Sequence, residues 1–401
     1  MLLLVLILLP ATAANTQDRI NLADGSTQII KNAAVKNGYV EFGSTTTTTV
    51  PSTTPTTPSV PTGKFYVVGK QIVDPDGNIF IPMGANVAIR QGQYETGYIF
   101  NVNGTATDHS QDVLNWGWNT VRVNLIFFPE SGSPTKDEIF QGLSKFINEY
   151  TSKKIVVLID THDATGQNLP PSDPKVQKIL GYLDELTKTY SNNPYVWFNG
   201  LNEPFQDDDP TSLTNWIAQQ NAVYQTIRKN APNNIFVADL PGYGNSVESL
   251  VDGNLGNFSS SKCNVVYSWH DYGYINGYAD DATHKIYYEK LASKNIAVLI
   301  GEIGDPLTLN EGTAGSPAQN RIGAYAAMKY APANGFGILW WHATGDSSVF
   351  LTYSLMQDRS APWPAATTGQ GLSAAGKTFW DLTHPKKTTA KFTGNIADSH
   401  C

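Results

Sequence analysis

Two glutamates carry the clearest chemical signal in this chain. Glu203 closes the run Val196-Trp197-Phe198-Asn199-Gly200-Leu201-Asn202-Glu203-Pro204, and Glu302 closes Ala297-Val298-Leu299-Ile300-Gly301-Glu302-Ile303-Gly304. Each run has the apolar composition of a buried strand, and a carboxylate at its end is costly unless it is paired or used. Two such carboxylates facing one bond can divide the work between an acid and a nucleophile.

The elements that would position them repeat along the chain. Phe65-Tyr66-Val67-Val68 and Gln71-Ile72-Val73, followed by Asp74-Pro75-Asp76-Gly77-Asn78, read as a β-hairpin. Eight apolar strand candidates follow, over 79–87, 120–126, 155–162, 196–203, 235–240, 265–272, 297–303 and 337–342. Between them, 135–151, 174–190, 212–229, 287–294 and 318–330 have helical spacing. Near-continuous apolar strands separated by helices indicate a parallel sheet covered on both faces. Eight units predict an α/β fold of the (β/α)8 barrel type, in which functional groups gather at the C-terminal strand ends. Six of the eight ends do carry such groups: Arg122, Asp160-Thr161-His162-Asp163, Asn202-Glu203, Trp269-His270-Asp271-Tyr272, Glu302 and Trp340-Trp341-His342. Asp207-Asp208-Asp209 reads instead as a solvated acidic loop.

Composition excludes several classes. With 401 residues, 41% hydrophobic and 15% charged, the chain has the make-up of a globular protein. A net charge of −8 leaves no basic surplus for a nucleic-acid backbone. No Gly-x-Ser-x-Gly elbow, His-Glu-x-x-His or phosphate-binding glycine loop is present. No cofactor is implied, and the seven His show no metal-ligand spacing. The nine Trp suit stacking on sugar rings as well as core packing.

The N-terminal region has a different character. Residues 1–14 combine a short leucine-rich run with Ala11-Thr12-Ala13-Ala14, the pattern of a secretion signal too short to span a bilayer. Every residue from Gly43 to Gly63 except Val50 and Val60 is Thr, Ser, Pro or Gly, which makes 43–63 a linker. Residues 15–42 are too few for an independent core and read as a disordered or remnant segment. The folded domain is expected over 64–390, with a tail at 391–401. Cys263 and Cys401 fit an exported protein that does not depend on a disulfide framework, and the sequence favours leaving them unpaired. Asn103-Gly104-Thr105 and Asn257-Phe258-Ser259 are glycosylation sequons. An extracellular, monomeric protein with no membrane partner after signal removal is the expectation.

The ordered set Gly84-Ala85-Asn86, Arg122, His162, Asn202-Glu203-Pro204, His270 with Tyr272, Gly301-Glu302 and Trp341 resembles glycoside hydrolase family 5, the retaining β-glycanases. The resemblance spans roughly Phe65 to Thr383. It implies Glu203 as general acid/base and Glu302 as nucleophile, with Arg122 and Tyr272 hydrogen-bonded to Glu302. It further implies that Asn202 holds a sugar 2-hydroxyl, that His162 and His270 orient substrate or glutamates, and that Trp341, in preference to Trp340, stacks under a sugar. The implied substrate is a plant-type polysaccharide. Asn-Glu-Pro favours β-1,4-glucan, whereas His162-Asp163-Ala164-Thr165-Gly166 resembles a stretch of some mannanases, leaving endo-β-1,4-mannanase as the alternative. A non-catalytic carbohydrate-binding barrel is the remote one.

Overall fold

The computed structural model describes residues 18–21, 27–30, 33–36, 39–42, 63–88, 108–126, 136–256, 258–259, 262–305, 316–343, 355, 368–386, 389–399 and 401. The segment read as a signal peptide, nearly all of the expected linker and both sequon asparagines lie outside these residues.

Eight parallel strands close into a barrel: β1 (Met83–Ala88), β2 (Thr120–Leu125), β3 (Val156–Thr161), β4 (Val196–Asn199), β5 (Phe236–Asp239), β6 (Val265–His270), β7 (Val298–Ile303) and β8 (Gly337–Trp340), with β8 pairing back to β1. The described helices are α1 (Ser110–Asn115), α2 (Lys136–Thr151), α3 (Pro174–Tyr190), α4 (Pro210–Asn230), α5 (Val247–Val251), α6 (Asp281–Ser293), α7 (Ser316–Tyr330) and α8 (Ala374–Thr383). This is the (β/α)8 architecture expected from the repeating pattern. Asp209 belongs to it as well. Its carboxylate caps α4 by accepting from the Thr211 and Ser212 amides, so it is not simply a solvated loop residue.

Strand alternation sorts the side chains into two layers. Val121, Val123, Val157 and Ile159 pack outward with the helices in the main core. Val156, Leu158, Trp197, Val237, Val266 and Leu299 fill the barrel interior. Continuing that inward series one step along each strand reaches Asp160, Asn199, Asp239 and Ser268. The interior therefore changes from apolar to polar toward the C-terminal strand ends.

One pairing departs from simple register. β6 and β7 match Trp269 with Ile300 and then His270 with Glu302, so β7 gains a residue there. The same excess appears against β8, where Ile300 pairs Ile338 and Ile303 pairs Trp340. Gly301 occupies this bulge, and a Cβ on it would lie 2.1 Å from Ser268 Oγ.

The other end of the barrel is closed by a small antiparallel sheet of Tyr66–Val68, Gln71–Val73 and Ile79–Phe80. The expected hairpin thus has a third strand, and the single strand expected over 79–87 divides at Pro82, which has no N–H to donate. Phe65 plugs the interior, its ring 5.2 Å from that of Trp197. The C-terminal residues are part of this closure, contrary to the expectation of a separate tail: Phe392 and Ile396 are buried against Tyr66 and Val73.

That return brings Cys401 beside Cys263, and the two form a disulfide with Cα atoms 4.7 Å apart. The sequence expectation of unpaired cysteines is corrected by a tertiary contact between residues separated by 138 positions. A crosslink closing so long a loop stabilises by several kcal/mol in the chain-entropy account, about 4–5 at most. Cys263→Ser is therefore expected to lower Tm by about 5–10 °C. Because Cys263 precedes β6, at the end of the barrel away from the polar layer, kcat should change by less than about twofold. Calorimetry and initial rates on the same sample check both.

Residues 1–56 form a unit of their own. Within it, Asp18–Asn21 pairs with Thr27–Ile30 and Ala33–Lys36 with Tyr39–Phe42, each antiparallel. The segment read as disordered or remnant therefore carries two hairpins, for which alternation in stretches such as Tyr39-Val40-Glu41-Phe42 is suited. No helix among the described residues is long and apolar enough to cross a membrane.

Candidate active site

Arg122, inward on β2 and fully buried, organises the polar layer. Its Nη1 donates to Glu302 Oε1 at 2.7 Å and to Asn86 Oδ1 at 2.9 Å. Its Nη2 donates to Asn202 Oδ1 at 2.7 Å, Asn199 Oδ1 at 2.8 Å and Asp239 Oδ2 at 3.0 Å, and lies 3.2 Å from Asp160 Oδ1. Burial alone would lower its proton affinity; the carboxylates of Asp160, Asp239 and Glu302 outweigh that and raise it.

Glu302 is almost fully buried. Arg122 holds one carboxylate oxygen, and the Tyr272 hydroxyl donates to the other at 2.9 Å. His270 ends β6, with Nδ1 2.8 Å from Glu203 Oε1 and 3.6 Å from Glu302 Oε2, and Nε2 3.3 Å from Asp239 Oδ2. Burial would push the His270 pKa down, but Glu302 and Asp239 raise it to about 10. These carboxylates favour the protonated ring, in which the Nδ1–H donates to Glu203.

Glu203 stands four residues beyond the end of β4, whereas the sequence reading put it on the strand itself. Its backbone is held at φ +40°, in the left-handed region that non-glycine residues seldom occupy. Two hydrogen bonds fix it there: its N–H donates to Asp239 Oδ2 at 3.1 Å, and its carbonyl accepts from Gly166 N–H at 2.8 Å. Such strain persists where surrounding structure over-determines it. Burial raises the Glu203 pKa; the His270 hydrogen bond opposes this, and the Glu302 charge adds to the rise.

Asn202 is fixed at both ends, accepting from Arg122 and donating from Nδ2 to Thr165 Oγ1 at 2.9 Å. His162, just past β3, is hydrogen-bonded through Nδ1 to Asp160. Its ring stacks on Trp341 with centroids 5.4 Å apart and planes 15° apart. Trp340 lies elsewhere: it is fully buried, with its ring 5.7 Å from Phe379 of α8. The alternation that made these two neighbours competitors sends Trp340 into the outer core.

Arg122, His162, Asn202, Glu203, His270, Tyr272, Glu302 and Trp341 thus converge, and Trp340 does not. Reading strand ends alone missed Asp239, Asn199 and the part played by Asn86. Asp239 is the joint between the two halves of the site, since its Oδ2 meets Arg122, the Glu203 amide and His270. Burial would raise its pKa, but His270 and Arg122 hold it well below the usual carboxylate range. The signal for it was present in the inward series Ile235, Val237, Asp239.

Glu203, His270 and Glu302 present ligand atoms that all lie within 4.8 Å of one another, a spacing that a metal ion accepts. The donor set opposes a cation, because Arg122 already neutralises Glu302 and the carboxylates around His270 favour its protonated form. As a carboxylate pair, the same spacing matches the short separation of a double-displacement site.

A family model described as Cellulase (glycosyl hydrolase family 5) matches residues 80–347. The chain belongs to glycosyl hydrolase family 5. Among curated relatives, a mannan endo-1,4-beta-mannosidase of Cellvibrio japonicus is 23% identical over 290 residues, covering 71% of this chain and 60% of the relative's length. Among solved structures, the mannohexaose complex of a Thermomonospora fusca β-mannanase is similar with a TM-score of 0.60 at 18% identity, covering 82% of this chain and 99% of the other. The catalytic domain of a Thermobifida fusca endoglucanase, crystallised with cellotetraose, is similar with a TM-score of 0.54 at 16% identity, covering 80% and 97%. At these identities the structural likeness speaks for the barrel fold alone.

Proposed function

We propose that this family 5 member is a secreted, retaining endo-β-1,4-glycanase whose preferred polymer is β-1,4-mannan. The observation that carries the reaction type is the approach of Glu203 and Glu302, whose nearest oxygens lie within 4.8 Å. Glu302 attacks the anomeric carbon, and the bond to the glycosidic oxygen breaks with its electron pair leaving on that oxygen. Glu203 gives the oxygen its proton. His270 donates to Glu203 Oε1, which leaves Oε2 for the transferable proton. Water then gives its proton to Glu203, attacks the same carbon and releases Glu302, restoring the original configuration. Arg122 and Tyr272 orient the Glu302 carboxylate, and Asn202 retains one amide hydrogen for a sugar 2-hydroxyl.

The leaving-group side has a place to go. A cavity of about 700 Å³ opens beside Glu203 and Tyr272, lined also by Gln206, Tyr243 and Asn276. Tyr243 is 44% exposed there and offers a ring face to sugar.

The sequence alone favoured glucan. Two observations support mannan instead: the Cellvibrio relative carries that activity in its name, and the mannanase-like segment His162–Gly166 is built into the site through Thr165 and Gly166. Glucan remains the second reading, because Pro204 follows Glu203 where mannanases of this kind typically have Trp. Initial rates on galactomannan, glucomannan, carboxymethylcellulose and mixed-linkage β-glucan decide it: galactomannan is expected to be turned over at least about tenfold faster than carboxymethylcellulose. The reverse order supports glucan. Proton NMR of the fresh product tests the mechanism, since an inverted anomer removes double displacement.

A further inference from the structure

A second buried polar cluster lies behind the site and takes no part in the chemistry above. Asp271, His284 and Tyr288 are all fully buried. His284 Nε2 is 3.1 Å from Asp271 Oδ1 and its Nδ1 is 2.8 Å from the Asp280 carbonyl. Tyr288 donates its hydroxyl to Asp271 Oδ2 at 2.9 Å. Both His284 nitrogens therefore face oxygen acceptors, and an imidazolium satisfies both. Burial would lower the pKa of this ring, but Asp271 outweighs it and holds the pKa above the ordinary histidine value.

The position of Asp271 gives the cluster its meaning. It sits between His270 and Tyr272, and its own N–H donates to the Glu302 carbonyl at 3.0 Å. Gly273, two residues on, donates its N–H to Asp271 Oδ1, and its carbonyl accepts from Gln319 of α7 at 2.7 Å. α7 also comes close at Gly323, where a Cβ would lie 2.7 Å from the Asp271 carbonyl oxygen. The turn carrying Tyr272 is thus gripped by two helices that touch no reacting atom.

We propose that Asp271, His284 and Tyr288 form a positioning device that fixes the Tyr272 hydroxyl on Glu302. The inference rests on the proposed reading of Glu302 as nucleophile, and it assigns these three residues no contact with substrate. A buried pair of this type tolerates loss of one partner poorly, because the other is left uncompensated. The effect should therefore reach Glu302 through Tyr272 and appear in kcat more than in KM.

A double-mutant cycle separates this from a merely structural role. His284→Gln is expected to lower kcat on the preferred polysaccharide by about tenfold with KM changed by less than about twofold. Tyr272→Phe should lower kcat on its own. In the Tyr272→Phe background, His284→Gln should then cost less than about a further twofold. If the full tenfold loss recurs there, the effect does not pass through Tyr272 and the proposal fails. If Tyr272→Phe leaves kcat unchanged, it fails as well. Should His284→Gln not yield folded enzyme, Tyr288→Phe, which removes one hydroxyl, enters the same cycle with an expected loss of about threefold and the same requirement of non-additivity. A Glu302→Gln enzyme that still turns over would instead overturn the underlying reading of the site.

Discussion

Glu302→Gln is expected to lower kcat by on the order of 10⁴-fold or more on every polysaccharide that the wild-type enzyme cleaves. The substitution keeps the shape of the side chain and an oxygen for Arg122, but removes the carboxylate proposed as nucleophile. Tm should move by only a few degrees, because Arg122 remains beside Asp160 and Asp239 at 3.2 and 3.0 Å. Rates and thermal melts on the same preparation are both needed. Turnover above about one per cent of wild type, in a folded sample, would remove Glu302 from the nucleophile role.

The second large effect belongs to Glu203. Glu203→Ala should cut kcat/KM on polymer by about 10²- to 10⁴-fold, the usual contribution of a positioned acid. On aryl glycosides with good leaving groups the loss should shrink sharply, since such groups depart without a proton. An acid is competent only below its pKa, and burial together with the Glu302 charge has raised this one. The wild-type profile of kcat/KM should therefore fall on its alkaline side as pH rises through that value. Glu203→Ala should lose this limb when assayed on the activated substrate. A limb that survives the substitution assigns it to another group.

The barrel was legible because parallel strands buried on both faces leave apolar runs, and here eight of them alternate with helical spacing. Glu203 and Glu302, the proposed acid and nucleophile, drew notice because a carboxylate stands out in such a run. Less visible were residues whose meaning depends on which way a strand faces. Asp239 ends Phe236-Val237-Ala238-Asp239 without a neighbouring His or Glu to draw notice, yet it joins Arg122, His270 and the Glu203 backbone. Trp340 and Trp341 are adjacent in sequence but end in different layers, which only the strand boundary decides. The Cys263–Cys401 bond depends on the chain end folding back beneath the barrel, and no local pattern encodes that path.

The extra residue in β7 also determines where Glu302, the proposed nucleophile, points. Leu299 lies in the interior and Ile300 in the outer layer, so unbroken alternation would turn Gly301 inward and send Glu302 out among the helices. The bulge at Gly301 resets that parity, and Glu302 meets His270 and Arg122 inside the barrel. Within this strand the placement of the proposed nucleophile is specified by a count as much as by an identity. Paired without the bulge, the same residues would leave the glutamate in the sequence and turn it away from the site. For alignments of related chains, a one-residue gap that removes the bulge leaves the glutamate two positions from the interior leucine and so still facing inward.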